Sequence, residues 1–206
     1  MKKLERYQDY VIKDGKFIGK FEEMYQKFDD PWHQSEDGFF NNLSRKVVAH
    51  FIKQYQITSS VEFGCGLGKT MNFIQKETNI DTLGIDISET SIKKAKEKYP
   101  DMSFEVNNIE NILNYSEFQS FFFSEITWYL LEDKLLDRTF EKMKNNLSGK
   151  FFIHNLVFYK GQQRYGNNYF TNLKEFLEFC PFKLLTKVEI NNVDCDSSGT
   201  SSIFII

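Results

Sequence analysis

Val61-Glu62-Phe63-Gly64-Cys65-Gly66-Leu67-Gly68-Lys69-Thr70 is the stretch whose reading decides the fold. Its opening residues predict a buried strand, the spaced glycines a tight loop, and residues 68–78 a helix. Leu83-Gly84-Ile85-Asp86 follows as a second short apolar strand, ending in a carboxylate. Strand, glycine turn, helix and acid-tipped strand make a βαβ unit suited to an adenosine-type ligand.

Spacing excludes two rival loops. A triphosphate loop needs Gly, four residues, then Gly-Lys-Thr. Gly68-Lys69-Thr70 supplies that ending, but Phe63 stands where the first glycine belongs. A dinucleotide loop needs Gly-x-Gly-x-x-Gly, and Lys69 fills its last slot. What remains is acidic-x-Gly-x-Gly-x-Gly, from Glu62 to Gly68.

With this motif and Gly84-Ile85-Asp86-Ile87-Ser88, the chain resembles the class I S-adenosylmethionine-dependent methyltransferase family over roughly residues 40–206. The resemblance implies an α/β, Rossmann-like fold. Its seven-stranded sheet is mostly parallel with an antiparallel last strand, and helices cover both faces. The implied cofactor is S-adenosylmethionine, leaving as S-adenosylhomocysteine. Glu62, Gly64, Cys65, Gly66 and Gly68 would hold its amino-acid end, the glycines letting backbone amides come close. Asp86 would accept from the ribose hydroxyls and Ile87 would lie against adenine. Phe104-Glu105-Val106-Asn107-Asn108-Ile109 resembles the third-strand motif, which puts Asn108 and Ile109 at the adenine edge. Here Asn108 stands where the family usually has Asp, and Asn107 where it has Gly. Phe123-Ser124-Glu125-Ile126-Thr127-Trp128-Tyr129-Leu130 resembles the fourth-strand motif, with Ser124 at the cofactor and the following residues toward the acceptor.

Around this centre the patterns are regular. Phe17, Phe21, Met24 or Tyr25, and Phe28 recur at helical spacing before Pro31. Residues 1–38 are expected to form an N-terminal lid. A long amphipathic helix is predicted over 39–55 and a strand at 81–86. A helix capped by Ser88 comes next, with strands near 102–107, 121–126 and 150–159, and a helix over 133–146. Thr171 is expected to cap a helix that stops before Pro181. Residues 183–190 alternate, 191–202 read as turn, and 202–206 as a terminal strand. A single domain spanning 1–206 follows, with 160–170 as an acceptor-side loop.

Composition narrows the partners. The 206 residues carry a net charge of −3, so no basic field points to nucleic acid. The Lys2-Lys3 and Lys93-Lys94 pairs read as solvated faces. No apolar run is long enough for a membrane span or a signal segment. Three dispersed cysteines (Cys65, Cys180, Cys195) fit a reduced cytoplasmic protein without disulfides. No His/Asp cluster has metal-ligand spacing. The oligomeric state is not written in these residues, a homodimer being one option.

Methyl transfer to a hydroxyl needs a base, and His154 on the fifth strand and Glu125 at the tip of the fourth are the candidates. Trp32 and His33 in the lid, with Trp128 and Tyr129, would wall the acceptor pocket. The Tyr, Asn, Gln and Arg of the lid and the 160–170 loop suit a polyhydroxylated or phosphorylated small molecule. Asp30-Pro31-Trp32 resembles small bacterial methyltransferases acting on sugars. The expected reaction is O-methylation of a sugar or nucleotide-linked sugar for surface polysaccharide. N-methylation of an amino sugar or another metabolite, and cofactor binding without turnover, stand beside it.

Overall fold

The alternation of apolar strands with amphipathic helices produces one seven-stranded sheet. The computed structural model describes residues 6–33, 39–161, 163, 165–191 and 196–206. Lys2-Lys3, Gln162, Arg164 and Cys195 lie outside the described residues. The strands are β1 (Ser59–Phe63), β2 (Asp81–Asp86), β3 (Ser103–Val106), β4 (Ser120–Ser124), β5 (Phe151–Tyr159), β6 (Lys183–Asn191) and β7 (Ser197–Ile205). Their spatial order is β3-β2-β1-β4-β5-β7-β6. All neighbours are parallel except β7, which runs antiparallel to both β5 and β6.

The helices are α1 (Phe21–Lys27), α2 (Phe39–Gln54), α3 (Lys69–Thr78), α4 (Glu89–Lys98), α5 (Leu135–Asn146) and α6 (Leu173–Phe179). Strand parity decides which helix each side chain meets. Phe122 and Ile153 pack with Val48, Phe51 and Ile52 of α2 and Met71 and Ile74 of α3. Phe121, Phe123 and Phe152 pack on the other side, with Phe140 of α5 and Phe176 of α6. The Phe121-Phe122-Phe123 run is therefore core on both faces, each ring contributing about 1.5–3 kcal/mol by burial.

β1 lies between β2 and β4, the point where successive connections leave the sheet in opposite directions. A cleft opens there beyond the carboxyl ends of the strands. The glycine loop sits at its floor. Gly64 and Gly68 both have φ of +75°. At Gly64 a Cβ would collide with Cγ2 of Ile126, and at Gly68 it would lie 2.5 Å from the ring of Phe104. Gly64→Ala should therefore cost about 2–4 kcal/mol, from left-handed strain plus overpacking. A urea titration checks it, and an unchanged midpoint would refute the packing argument.

Four boundaries differ from the sequence reading. The helical spacing from Phe17 to Phe28 is interrupted: Ile12–Lys13 and Lys16–Phe17 form a short antiparallel ribbon, and Gly19 at φ +67° redirects the chain before α1. α5 begins only after Asp133 and Lys134, both left-handed. The cap of α6 is Asn172, which accepts from the Glu175 amide, while Thr171 donates back to the Glu175 carboxylate. Residues 197–202 are strand rather than turn. Ser197-Ser198-Gly199-Thr200-Ser201-Ser202 is poor in strand formers, but pairing to β5 on one side and β6 on the other fixes it.

Candidate active site

A cavity of about 840 Å³ fills the cleft, and its lining comes from the carboxyl ends of β1 to β5, α2, α3 and the N-terminal segment. One half is built around β1 and β2. Glu62 points to the α2/α3 side of β1 because its neighbours Val61 and Phe63 take the other side. It is 2 % exposed and its Oε2 has no partner. Burial pushes its carboxyl up to about 8, against the pull of Arg45 and with a push from Asp86. Arg45, buried on α2, reaches Thr70 at the start of α3, Nε to Oγ1 3.4 Å.

Asp86 ends β2 at the cavity wall. Its Oδ2 accepts from the Gly66 amide and its Oδ1 from the Ser88 amide, both at 2.9 Å. Burial raises its pKa, and these amides oppose the shift. The loop amides are thus used inside the protein: Gly64 and Cys65 donate to the Ile85 carbonyl and Gly68 to that of Cys65. The glycines brace the loop against β2 rather than holding free amides toward a ligand. Ile87 projects into the cavity 52 % exposed, an apolar surface suited to an aromatic base. Asn108 caps the turn 109–115 through the Glu110 amide, and Asn107, Asn108 and Ile109 line the same edge.

The other half is aromatic. Tyr129 is its hub, with ring centroids at 6.3 Å from Phe17, 5.3 Å from Phe21 and 5.9 Å from Trp32. Trp128, Tyr159, Gln163 and Tyr165 complete the wall, and Ser124 lies at the junction with the first half. Glu125 sits here in a left-handed conformation, φ +61°, an uncommon state for a non-glycine residue. Its Oε2 accepts from the Val157 amide at 2.9 Å, and burial pushes its carboxyl up to about 7. Tyr165 donates to Glu132 and Tyr169 to the Leu131 carbonyl, tying the acceptor-side loop to the segment after β4.

The N-terminal segment roofs the cavity. Glu22 of α1 accepts from the Ser88 and Thr90 hydroxyls and the Thr90 amide. These bonds outweigh desolvation and hold its carboxyl near 2. Lys94 of α4 reaches the Tyr25 and Phe28 carbonyls and Asp29.

Several expected residues fall elsewhere. His154 does not reach the cavity. It shares strand parity with Phe152 and Leu156, is fully buried, and stacks on Phe176 with ring centroids at 4.0 Å. Its Nε2 lies 2.7 Å from Thr127 Oγ1, and burial holds its pKa down at about 3. An imidazole so placed has no open edge toward an acceptor. His33 is exposed beside Tyr7, outside the lining, while Trp32 lies within it. The Cys65 thiol is buried against Gly84 and α4, and Gly66 and Gly68 act through the backbone alone. Arg45, Thr70 and Tyr25 were not anticipated. Arg45 lies one turn before the buried Val48 and Ala49, so a charge on the inward stripe of α2 was the available signal.

Among the described residues, no group of three His, Cys, Asp or Glu side chains could hold a metal ion. None of their helices is long and apolar enough to cross a membrane.

The arrangement fits S-adenosylmethionine on this chain's own features: an orphaned carboxylate oxygen at Glu62 for an ammonium, an acid at Asp86, and an exposed aliphatic side chain at Ile87. The strand order and cleft define the class I S-adenosylmethionine-dependent methyltransferase fold. Residues 61–149 match the family model described as a methyltransferase domain. It is 39% identical over 83 residues to the candidate methyltransferase 235L of Invertebrate iridescent virus 6. That stretch spans 37% of this chain and 29% of the viral protein. N-methyltransferase NodS from Bradyrhizobium japonicum WM9, solved with S-adenosyl-L-homocysteine, superposes with a TM-score of 0.68 at 14% identity, over 90% of this chain and 96% of NodS. An S-adenosylmethionine-dependent methyltransferase from Clostridium acetobutylicum ATCC 824 gives 0.64 at 14% identity, over 88% and 98%.

Proposed function

We propose that this protein transfers a methyl group from S-adenosylmethionine to a small ring-shaped acceptor held in the aromatic half of the cavity. The observation that carries this reading is one continuous cavity joining Glu62 and Asp86 to Glu125. Glu62 and Arg45 would hold the charged amino-acid end of the cofactor, Asp86 the ribose, and Ile87 and Asn108 the adenine. Bound there, the cofactor supplies a methyl carbon on a sulfonium, and transfer depends on alignment and on exclusion of water. The N-terminal segment, latched through Glu22 and Lys94, serves as the lid that excludes it. Glu125 serves as the base, and His154 holds the Thr127 turn in place from behind.

Flat aromatic walls suit a sugar-sized ring, in line with the carbohydrate expectation and with a place in polysaccharide synthesis in the cytoplasm. A nucleotide-linked sugar is less well served. Among the described lining residues the only arginine or lysine is Arg45, beside Glu62, and a diphosphate would want cations in the acceptor half.

Calorimetric titration with S-adenosylhomocysteine tests the reading. Wild-type protein should bind it, and Asp86→Ala, checked for folding by circular dichroism, should bind about tenfold or more weakly. Absence of binding to wild type would remove the proposal.

A further inference from the structure

We infer that the group methylated is an amine, which enters the acceptor half as an ammonium held between the Tyr129-centred aromatic walls and the Glu125 carboxylate. This deepens the methyltransferase reading and rests on it.

Three observations carry the inference. First, Glu125 is an acid without a charged neighbour. Its Oε2 takes the Val157 amide, no donor among the described residues serves Oε1, and none of their charges acts on its titration. A carboxylate kept in such a place is complementary to a cation that arrives with the ligand. Secondly, the acceptor half of the cavity that Glu125 lines is walled largely by aromatic rings. Tyr129 senses Glu125, Tyr159 and Tyr7 electrostatically, and its ring meets those of Phe17, Phe21 and Trp32. Aromatic faces attract cations and offer a hydroxyl much less. Thirdly, the left-handed backbone at Glu125 is fixed by its amide bonding to the Asn155 carbonyl. The strained geometry aims the acid into the cavity rather than along the sheet.

The proton inventory then closes. The entering ammonium gives one proton to the Glu125 carboxylate and becomes a neutral amine with a free lone pair. That lone pair forms the new N–C bond, while the pair of the broken S–C bond stays on sulfur, which departs as the neutral thioether. The product leaves as a methylammonium, and Glu125 returns its proton to solvent. A simple hydroxyl would have to lose a far less acidic proton to a carboxyl that titrates near neutrality.

The test uses cyclohexylammonium and cyclohexanol, a matched pair of ring cation and ring alcohol. Each is titrated into the full chain with S-adenosylhomocysteine present, read by tryptophan fluorescence. Cyclohexylammonium should bind about tenfold tighter or more, and Glu125→Gln should remove most of that preference. Tyr129→Leu should weaken the ammonium about fivefold and the alcohol less, which keeps the test decisive if the Glu125 variant does not fold. Equal binding of the pair, preference for the alcohol, or no binding of either overturns the inference. Calorimetry with S-adenosylhomocysteine on the same samples separates the two failures. Retained cofactor binding with no ammonium preference sinks only the amine, whereas lost cofactor binding in wild type sinks the methyltransferase reading itself.

Discussion

Glu125→Gln should lower methyl transfer by about 10²–10⁴-fold while leaving S-adenosylhomocysteine affinity within about twofold. The substitution keeps the side chain's size and an oxygen for the Val157 amide, so the pocket survives and only the proton acceptor is lost. The pH dependence follows from a carboxyl raised by burial to about 7. A base acts only when ionised, so the wild-type rate should climb as pH rises toward 7 and level off above it. The residual rate of the variant should lack that step. A second consequence needs no acceptor. A carboxyl whose folded pKa exceeds its unfolded value binds more protons folded than unfolded, so its contribution to stability falls as pH rises from about 4.3 to 7. Glu125→Gln should therefore melt higher than wild type at pH 8 and differ little at pH 4.5. If Glu125→Gln retains full turnover, another group is the base.

His154 competes with Glu125 for the role of base in the sequence, and the reason it lies outside the cavity is legible there. Along β5, Phe152, His154 and Leu156 share one side, and the apolar character of the other two marks that side as core. Val157 and Tyr159, of the opposite parity, reach the cavity. Its distance along the strand places the histidine near the cleft, while its parity turns it into the core. Both matter, because a side chain near the open end of a sheet still points into a helix layer when its parity faces that layer.

The succession of strands and helices and the glycine loop were legible because they depend on strong local signals: continuous apolar runs, and glycines that a left-handed turn requires. β7 was only half legible. Its Ser-rich opening has turn chemistry, and only pairing on two sides makes it a strand. The roof was harder still. The docking of α1 onto α4 depends on Glu22 meeting Ser88 and Thr90 across 66 and 68 residues of sequence, and no local pattern encodes such a pairing. Arg45 illustrates the third kind of miss. A guanidinium within an amphipathic helix reads as surface unless its phase is tracked against the buried stripe, and its partner Glu62 lies on a strand.

Glu62→Gln should move two observables in opposite directions, making the protein without ligand more stable and its cofactor binding weaker. Glu62 is buried, one oxygen is unpartnered, and its carboxyl is raised to about 8 even with Arg45 nearby. Folded protein therefore holds a proton there that the unfolded chain releases above about pH 4.3. The resulting penalty grows from that pH to about 8, where it levels off, and at pH 7 it is about 4 kcal/mol. Gln carries no such penalty, so the variant should be more stable at neutral pH, and the difference should shrink toward pH 4.5. An ammonium entering the site reverses the balance, since it favours the ionised carboxylate and satisfies the orphaned oxygen. S-adenosylhomocysteine, which carries that ammonium, should accordingly release close to one proton from wild type at pH 7. Calorimetry in two buffers of different ionisation enthalpy reads the release directly. In the variant the release should fall toward zero and the affinity drop about 10–100-fold, the loss of a charge-assisted hydrogen bond. Unchanged affinity and unchanged proton release in Glu62→Gln would mean that the amino-acid end of the cofactor lies elsewhere, and that the strain at Glu62 is structural alone.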